Sequence, residues 1–221
     1  MSKRILVWDV PTRVFHWLLV LSFTGAYLTA ESERYRDIHV VLGYTMLGLL
    51  GFRLLWGFFG TRYAQFSSFL FKPDEIIAYV MTLFKGKPAH YSGHNPAGSV
   101  AIWLLLSLGI ATGISGVLVL QDLGSDVMEE VHEVFSNGML AVVFIHIAGV
   151  VVSSVIHREN LVRSMITGFK TAAPNEGIKR SYLWLGGIIL AAVIAFWVYY
   201  PVTGLIAPAS NSTHSEQHDD D

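Results

Sequence analysis

The chain has 221 residues, 52% of them hydrophobic and only 14% charged, and its mean hydropathy is +0.49. A soluble domain carries about 25% charged residues, so this composition belongs to an integral membrane protein. The formal net charge of −2 says less than its distribution along the chain, and no nucleic-acid partner is expected. Cysteine is absent, which excludes disulfides, thiolate catalysis, iron–sulfur ligation and the C-x-x-C-H attachment of c-type haem. Any metal site must use His, Met or carboxylates.

Crossing a hydrocarbon core of about 30 Å takes roughly 20 apolar residues. Five stretches qualify, near 14–30, 38–59, 98–121, 131–156 and 182–206. For the first, a cleaved leader is a competing reading, with Lys3 and Arg4 ahead of the apolar run. The twelve residues that lead into it, with Trp8, Asp9, Pro11 and Arg13, are unlike a simple basic leader. Between the second and third spans, "KPDEIIAYVMTLFKGK" opens on Pro73 and acidic residues and ends on lysines, as a helix does. It is too short to span, so an amphipathic helix near 73–84 is expected in the membrane interface. "HNPAG" then starts the third span, with Asn95 as N-cap and Pro96 at the first helical position. The tail "APASNSTHSEQHDDD" is polar and expected to be disordered.

Orientation follows from the basic residues. With the N-terminus inside, Arg34 and Arg36 are the only cations of the outer loops, whereas Lys3, Arg4, Arg13 and most others fall on the inner side. The positive-inside rule gives N-in and C-out. The expected fold is an all-α integral membrane protein. The first four spans lie within residues 1–160, and residues 161–221 hold a cytoplasmic linker, a fifth transmembrane helix and a polar outer tail.

Four of the nine histidines fall inside expected spans: His16, His39, His132 and His146. An ionisable residue at membrane depth marks a functional site by default. His132 and His146 lie fourteen residues apart on one span, about 21 Å along a helix at 1.5 Å per residue. Fourteen residues is two heptads, so both rings face one seam. By depth, His39 matches His132 near the outside. His16 matches His146 near the inside, less tightly, which requires the fourth helix to run on past the membrane. Two bis-histidine pairs suit b-type haem, whose iron then has no open position and transfers electrons. Zinc would want three or four ligands at one level, and a proton relay would want carboxylates that the spans lack. Gly43, Gly48, Gly51, Gly138 and Gly149 fit either a flat macrocycle between helices or ordinary small-residue packing. Arg53, fourteen residues after His39, fits either a haem propionate or snorkelling to headgroups. Arg13 and Arg36 are similar candidates.

Taken together, "VWDVPTRVFHW", "DIHVVLGY", "RLLWGFFGTRYAQF", "GHNPAG" and the His132/His146 pair resemble the prokaryotic cytochrome b-561 proteins over roughly residues 5–160. These include the b-type cytochrome subunits of nickel–iron hydrogenases, and the formate dehydrogenase gamma subunits are related. The resemblance implies a four-helix bundle with two haems b, ligated by His16, His39, His132 and His146. It also implies quinone exchange near the cytoplasmic-side haem, which points to His94, Asn95 and Gly98. His94, taken as a loop residue in water, is expected to titrate near pH 6.5. The resulting expectation is a multi-pass cytochrome of the bacterial inner membrane. It carries electrons between quinone and a periplasmic partner, either a hydrogenase-like enzyme or a c-type cytochrome, as a subunit rather than a self-contained enzyme. The rivals are a stand-alone superoxide- or metal-oxidising quinone reductase and a haem-free membrane anchor.

Overall fold

The computed structural model of the chain describes residues 3–85 and 89–203. Residues 86–88 and the acidic tail after Thr203, with His214 and His218, lie outside the described residues. Two helical hairpins make the body. The first joins α1 (Val10–Thr29) to α2 (Arg36–Phe59). The second joins α4 (Pro96–Leu120) to α5 (Ser125–Ile156), after α3 (Pro73–Phe84) in the intervening connection. Within the second hairpin the chain reverses at Gly124, whose φ of 119° a side chain would oppose. Packing is strongest inside each hairpin, and α2 on α4 joins the two. A short α6 (Leu161–Thr167) and the long α7 (Leu183–Thr203) complete the helices.

Four helical segments among the described residues are long and apolar enough to cross a membrane: Glu33–Phe59, Pro96–Leu120, Asp126–Ile156 and Leu183–Tyr200. The chain is therefore a multi-pass membrane protein. The fifth long helix, α1, is not among the four. Its first two turns carry Pro11, Arg13 and His16, which dilute the apolar run. α5 begins at Ser125 rather than near 131, so His132 sits two turns inside it. α7 packs along α1 and touches α2. Trp197 Nε1 donates to Thr45 Oγ1 at 2.9 Å, and Ile189 joins a buried cluster with Phe15, Leu49, Leu50 and Leu106.

The fold is not purely helical. β1 (Lys3–Leu6) pairs antiparallel with β2 (Phe169–Ala172), in the register Lys3 to Ala172 and Leu6 to Phe169. Gly168 extends the pairing: its carbonyl accepts from Val7 N at 2.8 Å and Trp8 N at 3.0 Å. Its φ is 87°, and a Cβ there would stand 2.7 Å from Trp8 O, so glycine is required. Ile5, Val7, Trp8, Tyr63 and Ala172 close over this sheet as a small core.

Between sheet and bundle sits Asp9, only 1% exposed. It caps α1 by accepting from Thr12 N at 2.7 Å. It also accepts from Trp56 Nε1 on α2 at 3.2 Å and from Thr61 Oγ1 just beyond α2. A lost N-cap costs about 1 kcal/mol, and each buried donor left unpaired about 1–3 kcal/mol. Asp9→Ala should therefore destabilise the folded protein by roughly 2–4 kcal/mol, and Asp9→Asn, which keeps the cap acceptor, by less. Denaturant titration of helical circular dichroism in detergent measures both, and an Asp9→Ala curve overlying wild type would show that the network does not hold the two helices.

Candidate functional site

The four span histidines form two tiers. At the end of the bundle away from the sheet, the rings of His39 on α2 and His132 on α5 face each other, with centroids 6.1 Å apart and planes at 77°. His39 Nδ1–H donates to Ala26 O on α1 at 2.8 Å. His132 Nδ1–H donates to Thr112 O on α4 at 3.0 Å, with Ser115 Oγ at 3.1 Å. A carbonyl only accepts, so these bonds fix the tautomer and leave each Nε2 lone pair free. Two imidazole–metal bonds of about 2.0–2.1 Å each, plus the ring radii, fit the observed separation. Gly116 on α4 admits the ring: a Cβ there would lie 2.9 Å from His132 Cε1. All four helices α1, α2, α4 and α5 thus contribute to one pair of rings. Beside this tier, Tyr27 OH donates to Asn137 Oδ1 at 2.8 Å, and Arg36 is exposed at the start of α2.

An apolar layer of Phe23, Met46 and Met139 separates this tier from the one at the sheet end. There His16 on α1 stands near His146 on α5. His16 Nδ1 is buried without a partner. Arg53, on α2, is buried beneath Phe66 and Phe69, whose ring centroids lie 5.0 and 5.7 Å from its guanidinium. It stands in the field of Asp9, and its Nη1 has no hydrogen-bond partner. Arg13 donates through Nη1 to Ile166 O, while its Nε is buried and unpaired. Snorkelling into headgroups does not describe Arg53, which points into protein.

These observations fit a macrocycle with anionic side chains. At the first tier the two imidazoles are oriented as one facing pair. Cβ atoms at Gly43 and Gly149, one turn from His39 and His146, would meet nothing within 4 Å. Gly48 and Gly51 are equally open, whereas Gly138 approaches Leu108 at 3.7 Å. Orphaned guanidinium nitrogens of Arg53 and Arg13 suit carboxylates. Among the described residues no three His, Asp or Glu side chains converge as an ion site, so a small metal ion is poorly served.

His94 differs from its expected setting. Its ring is packed between Trp8 and Phe69, each 4.7 Å away, and its Nδ1 is buried without a partner. Burial pushes its pKa down to about 3, reinforced by the positive charge of Arg53 and Lys170 and by His146. At neutral pH it is uncharged, and it does not trade a proton with bulk water near pH 6.5. Asn95 is the cap of α4: its Oδ1 accepts from Gly98 N at 2.7 Å. A Cβ on Gly98 would stand 3.1 Å from that oxygen. Of the other histidines, His90 contacts Glu159 at 3.4 Å and stacks edge-on with His157 at 5.3 Å. Sequence reasoning missed Asp9, Thr112, Ser115 and Gly116 as shapers of the tiers. Only the N-cap position of Asp9 ahead of Pro11 carried a readable signal.

The depressed folded pKa of His94 means that the unfolded chain binds its proton more readily. Stability should be full above about pH 6.5 and fall as the pH drops from there toward 3. His94→Leu should flatten that decline, read as the wild-type-minus-variant difference in thermal midpoint across pH 7 to 4. A pH-independent difference would contradict the buried, neutral state.

No solved structure matches the chain. Similar proteins include one from Rhodobacter capsulatus, 25% identical, with 76% of this chain and 81% of that protein covered. Another is from Azotobacter vinelandii, 24% identical, with 76% and 89% covered, and a third from Cupriavidus necator, 24% identical, with 76% and 88% covered. Each is named a probable Ni/Fe-hydrogenase B-type cytochrome subunit. The family model described as prokaryotic cytochrome b561 matches residues 7–168, from the first residues of the buried lead into α1 to the glycine that completes the sheet. With facing histidines on apolar helices and a match over most of its length, the chain belongs to the prokaryotic cytochrome b561 family.

Proposed function

We propose that the protein is a di-haem b-type cytochrome that carries electrons across the membrane between quinone and a redox partner on the far side. A b-type cytochrome uses haem b, and electron transport within the membrane follows from the family. The finer reading rests chiefly on one observation, the facing His39 and His132 rings with both Nδ1–H groups given to backbone carbonyls. His39 and His132 would hold one haem, and His16 and His146 the other. Held by these histidines, haem b would supply a one-electron iron couple suited to passing electrons on.

The chain's own residues then orient and insulate. Ala26 and Thr112 hold the imidazoles of the first tier in one tautomer. Phe23, Met46 and Met139 keep water from the space between tiers. Arg53 and Arg13 would neutralise propionates at the sheet end. His94, neutral and with a free Nδ1, would hydrogen-bond a quinone carbonyl there without serving as its proton source, while Asn95 holds the α4 terminus in place. With the N-terminus inside, the sheet end is cytoplasmic. The names of the similar proteins favour a nickel–iron hydrogenase as the partner on the other side.

Two low-spin haems per chain are expected from a pyridine haemochrome assay of the purified protein. None would leave a haem-free anchor, and one would leave a single pairing. Redox titration of alanine variants should show His39 and His132 disturbing one component and His16 and His146 the other. Loss of the same component from His39 and His146 variants would refute the pairing by depth.

For the quinone, His94→Ala should slow haem reduction by a quinol analogue while dithionite reduction and the visible spectrum stay unchanged. Equal quinol kinetics would move the quinone elsewhere.

A further inference from the structure

Away from both tiers, at the sheet end of α5, a cavity of about 300 Å³ opens between the end of that helix, α6 and the sheet. Arg4 of β1, Arg158 just past α5, Arg163 of α6 and Lys170 of β2 line it, with Glu159. Glu159 is already engaged: it pairs with Lys170 Nζ at 3.2 Å and His90 Nε2 at 3.4 Å, and accepts from Thr171 N at 3.4 Å. The guanidinium of Arg4 lies over the Phe169 ring, 4.5 Å from its centroid, which leaves its N–H edge free to bond elsewhere. Among the described residues Arg4, Arg158 and Arg163 have no carboxylate within ion-pair distance.

The cavity continues into an apolar groove. Val150, Val151, Val155 and Val162 line the groove, and the two spaces share Arg158, Glu159 and Asn160. Val151 is 54% and Val155 72% exposed, on the last turns of a helix apolar enough to cross the bilayer. A cluster of unpaired guanidiniums at the mouth of a hydrocarbon-depth groove has the polarity of a phospholipid.

We propose that this is a binding site for an anionic phospholipid, with the headgroup phosphate held by Arg4, Arg158 and Arg163 and an acyl chain along Val151 and Val155. Guanidinium groups bind phosphate oxygens in pairs, and basic pockets at helix ends recognise anionic headgroups. A zwitterionic lipid is disfavoured because the one carboxylate that could receive its ammonium is committed to Lys170 and His90. A free phosphate would satisfy the arginines and leave the valine groove unused.

The test uses full-length, haem-loaded protein stripped of lipid in non-ionic detergent and titrated with phosphatidylglycerol under native mass spectrometry. Phosphatidylcholine and inorganic phosphate are the comparison ligands. One phosphatidylglycerol should be retained per chain in preference to phosphatidylcholine. Arg163→Gln and Arg158→Gln should each weaken it roughly tenfold, the loss of one charge-assisted contact, with the visible spectrum unchanged. Val155→Trp, which fills the groove and spares every arginine, should weaken the lipid while leaving phosphate binding alone. Equal retention of the lipid by the arginine variants overturns the site, as does equal retention of phosphatidylcholine. Displacement of phosphatidylglycerol by inorganic phosphate as readily as by more lipid would mark a free-anion site instead.

Discussion

A buried carboxylate sets the frame. Asp9 is taken out of water at the junction of strand and helix, and an ionised group there survives only if its lone pairs are filled. The groups that fill them come from the start of α1, the end of α2 and the loop beyond. That demand fixes α1 against α2 in register and angle at the sheet end. His16 lies two turns further along α1, and Arg53, in the field of the same carboxylate, points inward from α2. Rotating either helix would break the Asp9 contacts and also turn a proposed ligand or its neighbouring guanidinium away from the interior.

The two tiers answer different chemical requirements. Around His39 and His132 the environment is nearly complete: backbone carbonyls hold both rings, and Gly116 makes room for one of them. At the sheet end several buried polar atoms lack partners, those of His16, Arg13, Arg53 and His94 among them. Orphaned polar atoms are costly in a folded interior. Several of them lie together in this region, near the open position at Gly149, where they suit the polar group proposed above. An apolar layer of Phe23, Met46 and Met139 lies between the tiers.

Outside the bundle, the same economy appears in the distribution of cover. α7 shields α1, whose polar first turns make it the least apolar of the long helices, whereas α5 leaves much of its apolar face bare. In a bilayer that face needs no protein partner, because lipid is as apolar as the side chains it meets. The small sheet joins the start of the chain to the segment after α5, and so brings Arg4 beside Arg158 and Arg163.

The amino-acid sequence by itself determined the long helices, the four histidines on them and the level shared by His39 and His132, because these depend on composition, 1.5 Å rise and heptad spacing along single segments. It also determined the α4 start at Asn95 and Pro96, a local capping pattern. Tertiary structure decided what depends on distant segments meeting. The pairing of Lys3–Leu6 with Phe169–Ala172 has no local signature in two four-residue strands. His94 read as a solvated loop residue because nothing nearby in sequence announces that Trp8 and Phe69 will close on it and that Arg53 and Lys170 will hold it neutral. The glycines were ambiguous one by one and became distinct only when their neighbours were known: Gly43 and Gly149 face open space, whereas Gly116 faces an imidazole. Asp9 carried a capping signal, but its larger role needs Trp56 and Thr61, and a side chain's partners across a fold are set by packing rather than by its place in the chain.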